Sequence, residues 1–386
     1  MYTPRSRCEL LPPSETYMHL STSATVSSVA TLPSRTNQSP IPEPPVHIPL
    51  TRQSPKAHRI STEPIIAYGS VVGYGAVFNA GVIEHEGTYH LFARGIREGY
   101  RRNEGAGARF LDYVSDVLVF TSADGIDYQF QQVLARSSDE WIHAVEDPRV
   151  QWVSSGGNSH AVMTYTNLPH PSTGGPWRVG AHRLTFDGGR FALDHSSGAV
   201  LGADGIHDKD AVVFNLRSGK VALIHRVHPN IQVAVFDDLD HLWSADSHYW
   251  DTHMNELDQH TIIASSVRVS GVGAGAPPVS TDDGLLLFYH ERLNSGTYTM
   301  NVALLDHDTG RVLAVLPEPV LIPELPWELV GDVDDVVFVG GALARPDGTI
   351  YLTYGAADRC VGAAVIGTED LLAALRDVTN PSGHVG

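Results

Sequence analysis

The sequence predicts an all-β protein, a five-bladed β-propeller, and three observations lead there. From residue 59 onward, short apolar runs rich in Val, Ile, Tyr and Phe alternate with Gly, Asp, Asn and Pro turns. The 36 Gly and 24 Pro imply many such turns. Five stretches then repeat one pattern: a strand, a glycine turn, and a second strand ending in an aromatic residue, His or Arg.

The first repeat, FNAGVIEHEGTYHLFARG, turns at Gly87, and the second, VEDPRVQWVSSGGNSHAVMTYT, at Gly157. The third, KDAVVFNLRSGKVALIHR, turns at Gly219; the fourth, GAPPVSTDDGLLLFYHER, at Gly284; the fifth, VFVGGALARPDGTIYLTYG, at Gly348. Successive turn glycines are 70, 62, 65 and 64 residues apart. Five units of about 65 residues occupy nearly all of the chain after residue 58, which suits large propeller blades. A β-sandwich with coincidental turns is the alternative on pattern alone. A short helix is expected over Thr368–Arg376, where Leu371, Leu372 and Leu375 share a face. Residues 1–58, with Pro12, Pro13, Pro33, Pro40, Pro42, Pro44 and Pro45 among Ser and Thr, read as a disordered or loosely packed N-terminal arm. Residues 59–386 form the propeller domain.

Composition narrows the function. The chain has 386 residues, 42% of them hydrophobic, enough for a large core. Its 26 Lys and Arg against 44 Asp and Glu leave a net charge of −18, which repels nucleic-acid phosphates and anionic membrane surfaces. No run approaches the roughly 18 apolar residues of a membrane helix. Cys8 and Cys360 are the only cysteines, too few for a disulfide framework and without zinc-ligand spacing. The N-terminus lacks the pattern of a secretion signal, so a cytoplasmic enzyme or binding protein is expected. Homo-oligomerisation is left open. Gly73-Tyr74-Gly75 and Gly105-Ala106-Gly107-Ala108 lack the context of a nucleotide-binding loop. No metal-ligand spacing stands out among the 20 histidines, the HxxH of His225 and His228 being a weak signal.

In a propeller the innermost strand of each blade lines a central channel. Counting back from each turn glycine places Asn79, Asp147, Lys209 with Asp210, Ala276 and Gly340 at equivalent inner positions. Three blades then offer polar groups and two offer small ones, which predicts a pocket opened on one side. Asp147 precedes Pro148, which biases it toward extended backbone. Successive extended residues face opposite ways, so only one of Glu146 and Asp147 is expected to face the axis. A desolvated carboxylic acid there could act as a general acid; an Asp-Pro turn salt-bridged to Arg149 is the structural alternative. Arg94, Arg226 and His290 follow their turn glycines at similar spacing and, with Lys209, could form an anion site against the global charge. Unrelated solvated charges would read the same. Trp141, Trp177, Trp250 and Tyr289 could stack on sugar faces, although aromatic residues in β-proteins are more often core.

Seven motifs occur in one order: VFNAGV at 77–82, VEDPRV at 145–150, KDAVVF at 209–214, ALIHR at 222–226, GAGAPPV at 273–279, LLFYH at 286–290 and FVGGALARPDGTIYLTYGAAD at 338–358. Together they resemble glycoside hydrolase family 130, the mannoside phosphorylases, over residues 63–370. The resemblance implies phosphorolysis of β-1,2- or β-1,4-linked mannosides with inversion, giving α-mannose 1-phosphate and a shortened acceptor. It makes Asp147 the proton donor and inorganic phosphate the nucleophile, a co-substrate in place of any cofactor. An ordinary inverting glycosidase instead needs a second carboxylate about 6.5–9.5 Å away. The resemblance further implies that Lys209, Arg226, His290, Arg94 and Arg178 bind phosphate, and that Asn79, Asp210 and Asp358 bind the mannose hydroxyls. Two features depart from the family's pattern: Glu291 and Arg292 directly after His290, and the charged loop from Arg97 to Glu104. Glu291 keeps open a hydrolytic reading in which a glutamate activates water. A non-catalytic sugar-binding propeller is the other rival.

Overall fold

The computed structural model describes residues 54–103, 110–137, 144–169 and 174–379. The arm up to residue 53, Cys8, Trp141, Glu104 and the run from Gly105 to Ala108 lie outside the described residues. The remaining chain folds into five antiparallel blades, and each sequence repeat forms the inner hairpin of one of them. Blade 1 comprises Tyr74–His85, Thr88–Arg97, Ser115–Ser122 and Gln129–Ala135. Blade 2 comprises Ala144–Ser155, Asn158–Leu168, Arg178–Asp187 and Arg190–Leu193. Blade 3 has Asp208–Asn215, Val221–Val227, Ile231–Phe236 and Thr261–Ile263. Blade 4 has Val269–Ala274 with Val279–Ser280, then Leu285–Leu293, Tyr298–Leu305 and Val312–Val315. Blade 5 has Val337–Ala344, Thr349–Ala356 and Cys360–Gly367. Gly87, Gly157, Gly219, Gly284 and Gly348 all take positive φ in the hairpin turns, which is why glycine recurs there.

The blades pack face to face, which explains the near-continuous apolar runs. Along the third repeat, Val212 and Phe214 pack toward blade 4, whereas Ala211 and Val213 pack toward blade 2. The two-residue period of a strand thus gives each blade two buried faces. The same division recurs around the ring, so that five apolar clusters fill the five blade–blade interfaces.

The ring closes through a strand from the other end of the chain. His58 pairs with Val365 and Arg59 with Ala364, completing blade 5. Buried Ala57 donates its N–H to the Val320 carbonyl at 2.8 Å. Ala57 and His58, read from the sequence as part of the arm, therefore pack on the propeller. Arg59 fixes the closure by donating twice to Glu328 at 2.7 Å, a carboxylate that also accepts from the Tyr354 hydroxyl at 2.8 Å.

The C-terminal helix runs over Thr368–Thr379 and buries Leu371, Leu372 and Leu375. The alternation of strands and turns did not reveal three short helices between the outer strands of blade 3: Leu239–Ser244, Ser247–Asn255 and Leu257–His260. Side-chain caps start the first two, with Asp238 accepting from the His241 N–H at 2.7 Å and Asp246 from that of Tyr249 at 3.0 Å. No helix among the described residues is long and apolar enough to cross a membrane.

Candidate active site

All five inner strands are irregular at the positions that the repeat equates. Pairing skips between Phe78 and Gly81, Glu146 and Arg149, Lys209 and Val212, and Val339 and Gly341. In blade 4 the inner strand breaks between Ala274 and Val279. Asn79, Asp147 and Asp210 sit at three of these bulges with φ of 48°, 52° and 53°. A bulge re-aims side chains, and left-handed backbone in Asn and Asp is a modest strain kept by the surroundings.

The bulge overturns one expectation. Alternation predicted that Glu146 and Asp147 face opposite ways, yet both line the same pocket. Both also reach Arg94, whose guanidinium pairs with Glu146 and lies 3.4 Å from Asp147 Oδ1. Asn79 donates to the same Oδ1 at 2.8 Å, and the Tyr113 hydroxyl donates to Glu146 at 3.0 Å. Burial opposes the Arg94 charge, but Glu146 and Asp147 outweigh it and hold the guanidinium protonated. Burial raises the Glu146 carboxyl, Arg94 opposes this, and the neighbouring Asp147 adds to it. Asp358, on left-handed backbone at φ 52°, is pushed up to about 7, chiefly by burial and then by Asp147 and Glu146 against Arg94.

A second charged cluster lies deeper. Asp210 is fully buried and receives Arg149 at 3.2 Å, Arg226 Nε at 3.2 Å and His290 Nε2 at 3.6 Å. Burial alone would raise its carboxyl, but Arg226, Lys209, His290 and Arg149 together hold it well below the usual range. Arg149 is a strut through the channel. It donates to the carbonyls of Gly275 at 2.7 Å, Asp147 at 2.8 Å and Ala274 at 3.0 Å, as well as to Asp210. His290 is 1% exposed and its pKa is lowered to about 3 by burial and nearby arginines, despite Asp210. It is therefore neutral, not one of the expected cations.

The pocket has a volume of about 460 Å³, and its lining includes Asn79, Arg94, Glu146, Asp147, Lys209 and Asp358. Arg102, Arg292, Tyr298, Phe338 and the segment Asp332–Val336 also line it. The small residues expected to open the channel instead let main chains close it. A Cβ on Gly340 would stand 2.5 Å from the Ala80 carbonyl oxygen, and one on Gly275, beside Ala276, would stand 2.9 Å from the Phe288 and Val339 carbonyl oxygens. Ser295 and Gly296 of blade 4, the segment 332–336 before blade 5, and Arg102 from blade 1 contribute to the pocket wall.

Lys209 lines the pocket with its ammonium over the Trp177 ring at 5.5 Å and makes no pair with a described carboxylate. The structure places the other residues named by the resemblance as follows. Arg178 is tied to Asp204 at 2.9 Å and to the Gly202 carbonyl at 3.0 Å and does not line the pocket. Arg226 and His290 stand behind the wall, held to Asp210. Asp210, fully buried beside Arg149, Arg226 and His290, does not line the pocket, and its Oδ2 has no hydrogen-bond partner among the described residues. Arg94 does line the pocket, but two carboxylates already match its charge. Of the aromatic residues, Trp250 and Tyr289 are buried core and Trp177 is 41% exposed. His225 is bonded to Asp208 at 2.7 Å and to His253 at 3.0 Å, so the HxxH is structural. No described cluster of His, Cys, Asp and Glu suits a metal ion. Glu291 turns away with Tyr289, whose hydroxyl donates to it at 3.3 Å, and is absent from the pocket wall. Sequence reading missed Tyr113, Tyr298 and the acidic wall; only the DVDD run before the last motif signalled that wall.

A polar propeller pocket with buried carboxyl groups and a lysine that no described carboxylate pairs has the groups that glycoside cleavage calls for. The family model described as beta-1,4-mannooligosaccharide phosphorylase matches residues 48–377, and the chain belongs to that family, glycoside hydrolase family 130. A 1,2-beta-oligomannan phosphorylase of Thermoanaerobacter sp. (strain X514) is 30% identical over 324 residues, 82% of this chain and 99% of the relative. A beta-1,2-mannobiose phosphorylase of the same organism is 32% identical over 311 residues, 76% of this chain and 91% of the relative. The solved beta-1,2-mannobiose phosphorylase of Listeria innocua, in complex with beta-1,2-mannobiose, superposes with a TM-score of 0.64 at 20% identity. That match spans 83% of this chain and 99% of the other.

Proposed function

We infer that this chain is an inverting phosphorylase of β-mannosides. It cleaves the terminal β-linked mannose with inorganic phosphate, giving α-mannose 1-phosphate and a shortened acceptor, without a further cofactor. The 1,2 linkage is favoured, because both relatives aligned over most of the chain carry it in their names. The observation that carries the reading is one pocket holding Asp147, kept in place by Asn79 and Arg94, together with Lys209, which no described carboxylate pairs.

The roles are those that the resemblance implies, and the geometry supports them. Asp147 gives its proton to the departing glycosidic oxygen as the bond to the anomeric carbon breaks. A phosphate oxygen forms the new bond from the opposite face. Lys209 holds that anion in the pocket, with the positive field of Arg226 and Arg149 behind it. Asn79 and Asp358 meet the mannose hydroxyls; Asp358, titrating near neutrality, can donate as well as accept. Glu146 and Tyr113 keep Arg94 against Asp147. With Glu291 turned away, the hydrolytic alternative loses the residue that motivated it. Initial rates on β-1,2- and β-1,4-mannobiose at increasing phosphate test the reading. Saturable dependence on phosphate, with the 1,2 isomer preferred, is expected; a rate independent of phosphate overturns it.

A further inference from the structure

We propose that Arg292 is a phosphate ligand of this enzyme, an added cation at the rim that binds the nucleophile alongside Lys209. The inference rests on the phosphorolytic reading and names a residue for it. Arg292 lines the same pocket as Asp147 and Lys209, and its guanidinium lies 5.9 Å from the Tyr298 ring centre. Although Asp332, Asp334 and Asp335 line the same pocket, no described carboxylate pairs with Arg292. Its charge, like that of Lys209, is left for a ligand.

The blade explains how a second-strand side chain comes to serve the pocket. Antiparallel partners lie on one face of a sheet. In blade 4, Arg292 is paired with Gly271 and His290 with Gly273. The inner strand thus places no side chain beside either residue. At Gly273 a Cβ would stand 2.4 Å from Asp210 Oδ2, and at Gly271 one would stand 3.1 Å from the His228 ring. The vacated space is taken by Asp210 and His228, which draws the cations of blades 3 and 4 together. The His228 pKa is lowered by partial burial and then by Arg226, Arg292 and Lys209, so all three charges reach this ring. Asp210 is the carboxylate within that group, and Arg226 and Arg149 already match it. The surplus is positive, as a phosphate dianion requires.

The test uses the full chain with Arg292→Ala and Arg292→Lys, varying phosphate at saturating mannobiose and mannobiose at saturating phosphate. The Ala variant should raise KM for phosphate by about tenfold and leave KM for mannobiose within about twofold; the Lys variant should recover part of the loss. Calorimetric titration with inorganic phosphate alone separates this claim from the reaction assignment. Phosphate binding weakened about tenfold in Arg292→Ala supports the claim even if turnover proves independent of phosphate. Equal binding by variant and parent, no phosphate binding by the parent, or equal rises in both KM values would overturn it.

Discussion

Gly273→Ala is the substitution whose consequence can be worked most fully from the packing. The added Cβ would stand 2.4 Å from Asp210 Oδ2 and 2.5 Å from the His290 ring, where ordinary contact begins at 3.4 Å. Both neighbours must retreat by about 1 Å, and neither has room. The His290 ring lies against Phe338 at 4.3 Å, and Asp210 is held by Arg149 and Arg226. Overpacking of this kind costs about 1–3 kcal/mol, to be read from the denaturant midpoint. A shift of that size behind Lys209 should also lower kcat/KM by about 10²-fold. Gly271→Ala is the control, since its nearest contact, 3.1 Å from the His228 ring, asks for only a few tenths of an ångström. Neither glycine has positive φ, so backbone strain does not confuse the comparison. A Gly273→Ala enzyme as stable and active as the parent would refute the tight charged core described here.

Three other outcomes are expected. Asp147→Asn should keep the fold and lower turnover of an unactivated mannoside by about 10²–10⁴-fold, with part of the loss spared on an aryl mannoside; equal losses on both substrates would count against proton donation. Lys209→Ala should raise KM for phosphate, whereas Arg178→Ala, already engaged by Asp204 and Gly202, should stay within about twofold of the parent; the opposite order would restore Arg178 to the anion site. Asp358 binds its proton more tightly in the folded than in the unfolded chain, so its stabilising contribution is full below pH 4 and lost as pH rises through about 7. Asp358→Asn should therefore gain stability relative to the parent between pH 4 and 8, and a constant difference across that range would contradict the assignment.

The propeller was legible because hairpin turns need positive φ, and that need recurs as glycine at Gly87, Gly157, Gly219, Gly284 and Gly348. The inner positions of Asn79 and Asp147 followed by counting. Ring closure was not legible, since His58 and Arg59 pair with residues at the far end of the chain and follow a proline-rich stretch. Nor was the common direction of Glu146 and Asp147, because strand alternation holds only where the ladder is regular and here it bulges. Residue type marked Arg94, Arg226 and His290 as cations. Whether a charge is spent depends on partners from other strands and blades: Arg94 meets carboxylates of blade 2, while Asp210 of blade 3 gathers Arg149 from blade 2 and His290 from blade 4. Burial, which no spacing reveals, made His290 neutral.

Phosphorus and proton NMR of the products formed from β-1,2-mannobiose and inorganic phosphate tests the central claim most directly. Inverting phosphorolysis at Asp147 predicts α-mannose 1-phosphate appearing in step with one free mannose, and neither product when phosphate is withheld. Two free mannoses formed at the same rate without phosphate, or the β-anomer of the sugar phosphate, would contradict it.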